Sequence, residues 1–237
     1  MSRDATEAPG RGGRRRLRSA LAAIVVLGAL AVPTGAARDA VPNATSARAA
    51  TSAWVTTAKQ RLSKLEVKSA GSMTGYARER FGPAWNDVDL NGCDTRNDIL
   101  ARDLKETVFK AGSECIVVKG TLHDPYTATT INFVRGVGTS SRVQIDHVVA
   151  LAAAWRTGAK QLTADKRLFY ANDTLVLLAV DGPTNGAKSD SDAANWLPPN
   201  TGYHCRYVAK QIAIKTKYEL WVTQPERMKM TDVLGGC

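Results

Sequence analysis

The cysteine pattern limits how this chain can fold. The four cysteines are Cys93, Cys115, Cys205 and Cys237, and no two of them form the C-x-x-C pair of a zinc knuckle. An even number of widely spaced cysteines is typical of disulfide bonds in an oxidising compartment. Four cysteines allow three pairings. We favour Cys93–Cys115 with Cys205–Cys237, since each bond closes a local loop and the second ties down the last residue of the chain.

The N-terminal segment has the pattern of an export signal. Basic residues dominate the first nineteen positions, an uninterrupted run of apolar or small residues follows from Ala20 to Val32, and small residues end the segment at Ala36 and Ala37. This pattern predicts a signal peptide over residues 1–37. An uncleaved membrane anchor is the alternative, but that run extends only about 20 Å as a helix against a hydrocarbon core of roughly 30 Å. We therefore expect a secreted, extracellular protein without stable membrane association after cleavage.

Composition and charge fit one globular domain with an anionic partner. Hydrophobic residues make up 44% of the chain and charged residues 23%, which excludes a wholly disordered chain and a polytopic membrane protein. The formal charge of +10 falls to about +6 once residues 1–37 are removed, and a field of that size concentrates polyanions. A mildly basic surface without such a partner is the alternative that charge alone leaves open.

Hydrophobic patterning separates a lead-in from one domain. Residues 38–48 predict a flexible lead-in, and residues 49–237 a single domain. Apolar residues at helical spacing predict helices over about 50–67, 96–104, 148–156, 203–221 and 226–234, with another that starts near Pro183. Short β-branched runs predict strands over 116–119, 129–134, 143–145 and 174–180. The result is an α+β fold in which helices outnumber strands.

His147 is the strongest candidate for a catalytic base. The chain has three histidines, and His147 stands out because Asp146 precedes it at the end of a β-branched run. Adjacent strand residues point to opposite sides, so these two side chains share a site only if the strand ends or bends there. Taken alone, His147 is more typical of a structural histidine in the core than of a catalytic base.

Three further polar residues follow in a fixed order. Asn172 precedes the predicted strand 174–180, and Asn185 and Lys188 lie one turn apart on the helix that starts near Pro183. One by one, Asn172 fits a turn or a cap and Asn185 fits a plain helix-start residue. The ordered set of Asp-His, Asn and Asn-x-x-Lys favours a catalytic site over these separate structural roles.

This ordered set resembles the ββα-metal, or HNH, nuclease finger. From about Gly75 to Cys237 the chain resembles the secreted bacterial HNH endonuclease family, whose C-terminal part is similar to the nuclease domain of GmrSD restriction systems. The segments that carry the resemblance are Asn91–Arg96, Leu122–Pro125, Asp146–Val149, Asn172–Leu178, Asn185–Asp190 and Trp196–Asn200. The resemblance implies a ββα-metal finger over about residues 140–195, embedded in a mainly helical, disulfide-stapled single domain.

The resemblance also implies a role for each site residue. His147 would be the general base, and a neutral imidazole with a pKa near 6.5 suits that task. Asp146 and Asn185 would bind one divalent metal ion, Mg²⁺ or Mn²⁺, through oxygen atoms. Asn172 would not bind the metal but would brace the loop or backbone around His147. Lys188 would meet a phosphate or steady the site.

The partner that the resemblance implies is DNA, with RNA as an alternative, bound through phosphate contacts. Arg135 and Arg142 are candidates for such contacts, although surface or ion-pair roles fit each of them equally well. The sequence has no recognisable signature of a helix-turn-helix, a zinc finger or an aromatic–basic RNA platform, so we expect low sequence specificity. An immunity or inhibitor protein is neither indicated nor excluded by the sequence.

The resulting hypothesis is a secreted, metal-dependent endonuclease that hydrolyses phosphodiester bonds. Two alternatives remain at this stage. One is a secreted nucleic-acid-binding module that keeps the finger without catalysis, and the other is a metal phosphodiesterase that acts on a substrate other than nucleic acid.

Overall fold

The computed structural model of the protein describes residues 44–237, with side chains from residue 53 onward. All of these residues belong to one compact unit. The predicted signal peptide, residues 1–37, lies outside the described residues, as does most of the predicted lead-in. The end of that lead-in is helical, because the first helix begins at Ala44. The predicted lead-in therefore overlaps α1 over residues 44–48, where alanine favours the helix.

Seven α-helices and five strands are found within residues 44–237. The helices are α1 (Ala44–Lys64), α2 (Thr95–Asp103), α3 (Leu151–Arg156), α4 (Ala164–Asn172), α5 (Gly182–Lys188), α6 (His204–Lys217) and α7 (Gln224–Gly235). The strands are β1 (Lys105–Phe109), β2 (Val117–His123), β3 (Thr130–Val134), β4 (Val143–His147) and β5 (Leu177–Asp181). The predicted α+β class is confirmed, whereas β1 and α4 were not predicted.

The strands form two antiparallel sheets. One has the order β1-β2-β3, and the other consists of β4 and β5 alone. In the second sheet Asp146 lies opposite Leu178 and His147 lies opposite Leu177. Helix α5 begins at the residue that follows β5. The start of α5 therefore lies beside the start of β4, and the last residue of α5, Lys188, reaches the end of β4.

Two hydrophobic clusters enclose the β4–β5 pair. The first includes Leu62 of α1 and Ile212 of α6, and Val180 of β5 belongs to it. The second includes Ile99 of α2, and Ala179 of β5 belongs to it. Because successive strand residues face opposite sides, the β4–β5 pair contributes to both clusters at once. This placement buries most of β4 and explains why its polar side chains need partners.

Both disulfides have the pairing that we favoured from the sequence. Cys93–Cys115 joins the segment before α2 to the segment before β2, over a sequence separation of 22. Cys205–Cys237 joins the first turn of α6 to the C-terminal residue, over a separation of 32. The part of the chain that the structure describes therefore has no free cysteine.

Candidate active site

Asp146 and His147 occupy the last two positions of β4, where the strand ends and the chain turns towards α3. Both are almost fully buried, with exposed fractions of 5% and 8%. They line one cavity of about 370 Å³ together with Asn185 of α5. The end of the strand thus meets the condition under which two adjacent residues share a site.

The imidazole of His147 is held by the main chain of α4. Its Nε2 atom lies 2.9 Å from the carbonyl oxygen of Ala171. A carbonyl oxygen only accepts hydrogen bonds, so Nε2 carries the proton and Nδ1 is the basic nitrogen of the neutral ring. Nδ1 forms no hydrogen bond with another residue in the described part of the chain. The fold therefore selects one tautomer and leaves its basic atom free of protein partners.

Burial lowers the pKa of His147 from 6.5 to about 3. The hydrogen bond to Ala171 acts in the opposite direction, whereas the positive charges of Arg78 and Lys188 lower the pKa further. The imidazole is consequently neutral at neutral pH, which is the protonation state that a general base requires.

Lys188 joins the two residues at the end of β4. Its side chain is 0% exposed, and its Nζ atom donates to Asp146 Oδ1 at 2.8 Å and to the carbonyl oxygen of His147 at 2.9 Å. A buried ammonium group is tolerated only with such partners. Of the two roles implied for Lys188, the structure supports the steadying role. The phosphate-binding role stays a prediction, and full burial of the ammonium group disfavours it.

Asp146 has a second buried partner, the hydroxyl group of Tyr126, which donates to Oδ2 at 2.6 Å. Tyr126 is fully buried, and burial together with the Asp146 charge raises the pKa of its phenol. Sequence reasoning missed this residue. It follows a segment that carries the resemblance, but nothing in the local pattern indicates where its hydroxyl group lies.

Asn185 is placed with its amide towards β4. Its Nδ2 atom donates to Gln144 Oε1 at 2.9 Å, which leaves Oδ1 as the atom available to accept. Asp146 and Asn185 therefore present a carboxylate and an amide oxygen to one cavity. Each carboxylate oxygen of Asp146 already accepts one hydrogen bond and keeps a second lone pair for a further ligand.

This donor set fits a hard divalent ion that keeps most of its water ligands. Mg²⁺ is commonly bound through one or two carboxylates together with water and substrate phosphate. Within residues 44–237, no group of three or more histidine, cysteine or carboxylate side chains is arranged to bind a metal. The residues thus fit an ion that is completed by water and substrate, and they do not fit a cage built from protein alone.

The bracing role expected for Asn172 stays a prediction. It is the last residue of α4, with its side chain 2% exposed, and its Nδ2 atom donates to the carbonyl oxygen of Leu168 one turn earlier. Its side chain makes no hydrogen bond to β4 within the described residues. The contact with His147 comes instead from the carbonyl group of Ala171, the neighbouring residue. The reason is that a helix-terminal asparagine bonds readily to its own helix.

Of the two arginines predicted to contact phosphate, Arg135 has a structural role. Its guanidinium group donates to the carbonyl oxygen of Val117 at 2.6 Å and to Asn97 Oδ1 at 2.5 Å. These contacts engage two of its three guanidinium nitrogens and favour a structural role, while its contact with phosphate stays a prediction. Arg142 is exposed at the end of a short 3₁₀ helix, and its contact with phosphate stays a prediction.

Arg78 is a site residue that sequence reasoning missed. It is exposed and begins a 3₁₀ helix that ends at the buried Phe81. It lines the 370 Å³ cavity and also a second one of about 280 Å³, and His147 lines both. Arg78 forms no ion pair within the described part of the chain. No motif surrounds Arg78, because its segment is irregular in sequence. The residue also lies far from Asp146 along the chain, so sequence order does not connect the two.

Comparison with known proteins places this chain within a family. Residues 94–233 match the family described as GmrSD restriction endonucleases, C-terminal domain. The match covers more than half of the chain and includes β4, α4, β5 and α5. The chain belongs to this family. Because this is a restriction endonuclease family, the chain is a nuclease-family protein. No solved structure matches it.

A fungal protein is also similar to this chain. An "Uncharacterized secreted protein" of Arthroderma benhamiae (strain ATCC MYA-4681 / CBS 112371) is 36% identical over 184 residues, which are 76% of this chain and 85% of the relative. Its name and the two disulfides are consistent with the expected extracellular location. Its fungal source gives no support to the bacterial origin that the resemblance implied. In residues 44–237, no helix has the length and apolar character needed to cross a membrane.

Proposed function

We propose that the protein is a secreted, metal-dependent endonuclease that hydrolyses phosphodiester bonds of DNA, with RNA as the alternative substrate. The observation that carries this proposal is the single tautomer of His147. The hydrogen bond to the Ala171 carbonyl group occupies Nε2, so Nδ1 is the basic nitrogen. The side chain that carries it shares one cavity with Asp146 and Asn185. A base and two hard oxygen donors in one cavity suit phosphodiester hydrolysis.

His147 performs the proton transfer in this proposal. Its Nδ1 atom removes a proton from the attacking water, which makes the imidazole positively charged for the duration of the step. The Ala171 carbonyl group stabilises that charge, since hydrogen bonding to the protonated ring favours the charged form. Burial keeps the ring neutral before the reaction, so the base is available at neutral pH.

Asp146 and Asn185 would bind one divalent ion, Mg²⁺ or Mn²⁺. When bound, such an ion stabilises the negative charge on the phosphate and on the leaving oxygen. Lys188 contacts both Asp146 and the backbone of His147, so it sets the position of the carboxylate relative to the base. Tyr126 orients the second carboxylate oxygen. We expect products that carry a 5′-phosphate and a 3′-hydroxyl group.

The β4–β5–α5 unit fits a ββα-metal finger on this interpretation. The base and the carboxylate lie at the end of β4, and the amide ligand lies on α5, which follows β5 directly. Arg78 lines both cavities next to His147 and is placed to contact a phosphate of the substrate. Recognition through phosphate alone favours low sequence specificity and cleavage that weakens as salt is added.

Cleavage of supercoiled plasmid by the secreted protein tests the proposal. We expect nicking with Mg²⁺ or Mn²⁺, none with EDTA, and a rate about 10²–10⁴-fold lower for His147→Ala. His123→Ala is the matched control, because His123 is exposed and lines neither cavity at His147. It should cut like the wild type.

Three results would contradict the proposal. If the wild type cuts nothing with any metal but retards DNA, the protein is a binding module. If it cuts only small phosphodiesters, the substrate class is wrong. Equal cutting by His147→Ala and the wild type would place the base elsewhere.

A further inference from the structure

A groove of about 450 Å³ lies between α1 and α6, and none of its lining residues lines a cavity at His147. Helix α1 contributes Trp54 and Arg61, while Arg206 and Lys210 come from α6. Tyr203, which ends the 3₁₀ turn before α6, also lines the groove. Helix α1 lies outside residues 94–233, so four of the nine residues that line the groove are not part of the region that matches the family.

The charged residues that line the groove are all cationic: Arg61, Arg206 and Lys210. None of them forms an ion pair with a residue in the described part of the chain. Arg206 and Lys210 are four residues apart on one helix, where like charges repel. Three carboxylates act on Lys210, those of Asp103, Asp146 and Asp173, but each is already ion-paired with another residue: Arg102, Lys188 and Lys217, respectively. The groove therefore holds positive charge that no neighbouring carboxylate neutralises.

Lys210 shows that this charge is incompletely solvated. The side chain is half-buried, and its Nζ atom donates to the carbonyl oxygen of Leu177 at 3.2 Å. Burial lowers the pKa of Lys210 to about 8, and the charge of Arg102 lowers it further. An anion in the groove would offset both effects, because an opposite charge favours the protonated amine.

Aromatic side chains lie beside these cations. The Arg206 guanidinium group is 5.9 Å from the centre of the Trp54 ring, and Trp54 and Tyr203 are both half-buried. Cations combined with aromatic faces are the elements that bind single-stranded nucleic acid, in which phosphates meet the cations and bases stack on the rings. The volume of the groove is near the lower end of the range for small-ligand sites, which suits one nucleotide better than a duplex.

We propose that the groove between α1 and α6 binds a single strand of nucleic acid. Arg61, Arg206 and Lys210 contact its phosphates, and a base packs against Trp54. The choice of polymer rests on the proposed nuclease function, whereas the site itself is separate from the catalytic cavity. The groove would then hold an unpaired stretch of the substrate away from the cutting site.

Equilibrium binding tests the proposal without cleavage. The secreted protein carrying His147→Ala is titrated in EDTA against a labelled oligothymidine, with anisotropy followed over a range of salt concentrations. Replacing Arg61 and Arg206 together by alanine should weaken binding by about 10-fold or more. It should also reduce the slope of log K against log salt by about 1.4, because each single-strand phosphate contact contributes about 0.7.

Lys59→Ala with Lys64→Ala is the matched control. It removes the same charge from exposed positions of α1 that do not line the groove, so the slope should change by much less. Trp54→Leu should weaken binding about 5- to 150-fold through lost stacking, and Trp54→Phe should restore most of it. Thermal unfolding of each variant shows whether the protein is still folded.

The outcomes separate this proposal from the nuclease proposal. If the Arg61 and Arg206 variant binds like the lysine control, or if the parent protein does not bind the oligonucleotide, the groove proposal is overturned, whatever the plasmid shows. If the parent binds and the groove variants lose binding while the wild type fails to cut plasmid with any metal, the groove proposal stands and the nuclease proposal fails.

Discussion

At the scale of single residues, two opposing effects act on His147. Burial disfavours the imidazolium ion, and the Ala171 carbonyl group favours it. Burial is the larger effect, so the ring is neutral before the reaction. The Ala171 carbonyl group would stabilise the ring once it has accepted a proton. Lys188 is fully buried, and its amine is satisfied by a carboxylate and a main-chain carbonyl group.

The pKa of His147 predicts that acid destabilises the folded protein. In the unfolded chain the pKa is near 6.5, and in the folded chain it is about 3. Between these values the unfolded state binds a proton that the folded state does not. The contribution to the free energy of unfolding is therefore complete above about pH 6.5 and is lost as the pH falls towards 3, by at most about 1.4 kcal/mol per pH unit.

Urea unfolding over this pH range checks the prediction. His147→Gln should show a shallower loss of stability than the wild type, because glutamine does not titrate. The exposed His123 is the control position, and His123→Gln should keep the wild-type slope. Identical slopes for the wild type and His147→Gln would contradict the prediction.

The residue scale also shows what a linear pattern can predict. Asp146, His147, Asn185 and Lys188 were identified from the sequence, and the structure brings all four together. The partners that set their behaviour were not predicted, because Tyr126 and the Ala171 carbonyl group carry no recognisable signal. Burial also decided the outcome for Lys188, and burial is a property of packing.

At the scale of elements, the start of α5 sets the geometry of the site. Asp181 caps the helix by accepting from the backbone N–H of Thr184 at 2.8 Å, and Pro183 lies in the first turn. Gly182 lies so close to the 3₁₀ helix before β4 that an added Cβ atom would be 2.1 Å from the carbonyl oxygen of Ser141. This close approach sets the distance between β4 and the helix that carries Asn185.

Two glycines of α5 give a matched test of this contact. Gly182→Ala should destabilise the protein by about 1–3 kcal/mol or more, because the clash is with backbone, and should reduce plasmid cleavage by displacing Asn185. Gly186→Ala meets nothing within 4 Å and should stabilise the helix by about 0.5–1 kcal/mol. Urea unfolding and plasmid nicking measure both effects. Equal behaviour of the two variants would show that the approach at Gly182 does not position α5.

The missed elements share a physical cause. Strand β1 is an edge strand with four of its five residues exposed, so it lacks the apolar alternation of a half-buried strand. Helix α4 buries only Tyr170 and Asn172, and its sequence has no clear apolar face. Both elements depend on tertiary packing more than on local preference. Because α4 supplies the Ala171 carbonyl group, the support of His147 was also missed.

At the scale of the whole molecule, α6 and α7 are joined twice. Cys205–Cys237 links the first turn of α6 to the end of the chain, and a buried ion pair between Lys215 and Glu226 joins the two helices at 3.0 Å. Burial raises the pKa of Glu226, and the charge of Lys215 lowers it. Neither link touches the cavity at His147, so they stabilise the fold without taking part in the proposed chemistry.

Removal of the Cys205–Cys237 disulfide should therefore affect stability more than cleavage. The variant Cys205→Ser with Cys237→Ser should lose about 3–4 kcal/mol of unfolding free energy, since the bond closes a loop over a separation of 32 residues. Urea unfolding measures the loss, and plasmid nicking below the unfolding transition should be retained. Loss of nicking in a fully folded variant would contradict this separation of roles.

Local sequence sufficed for the α+β class, for the favoured disulfide pairing and for the set Asp146, His147 and Asn185, because each depends on short patterns or on spacing along the chain. Tertiary structure alone decided the buried role of Lys188, the structural role of Arg135 and the position of Arg78 beside His147. These properties depend on which distant segments the two hydrophobic clusters bring together. Burial, tautomer and pKa follow from that packing, since they are set by neighbours in space and not by neighbours in sequence.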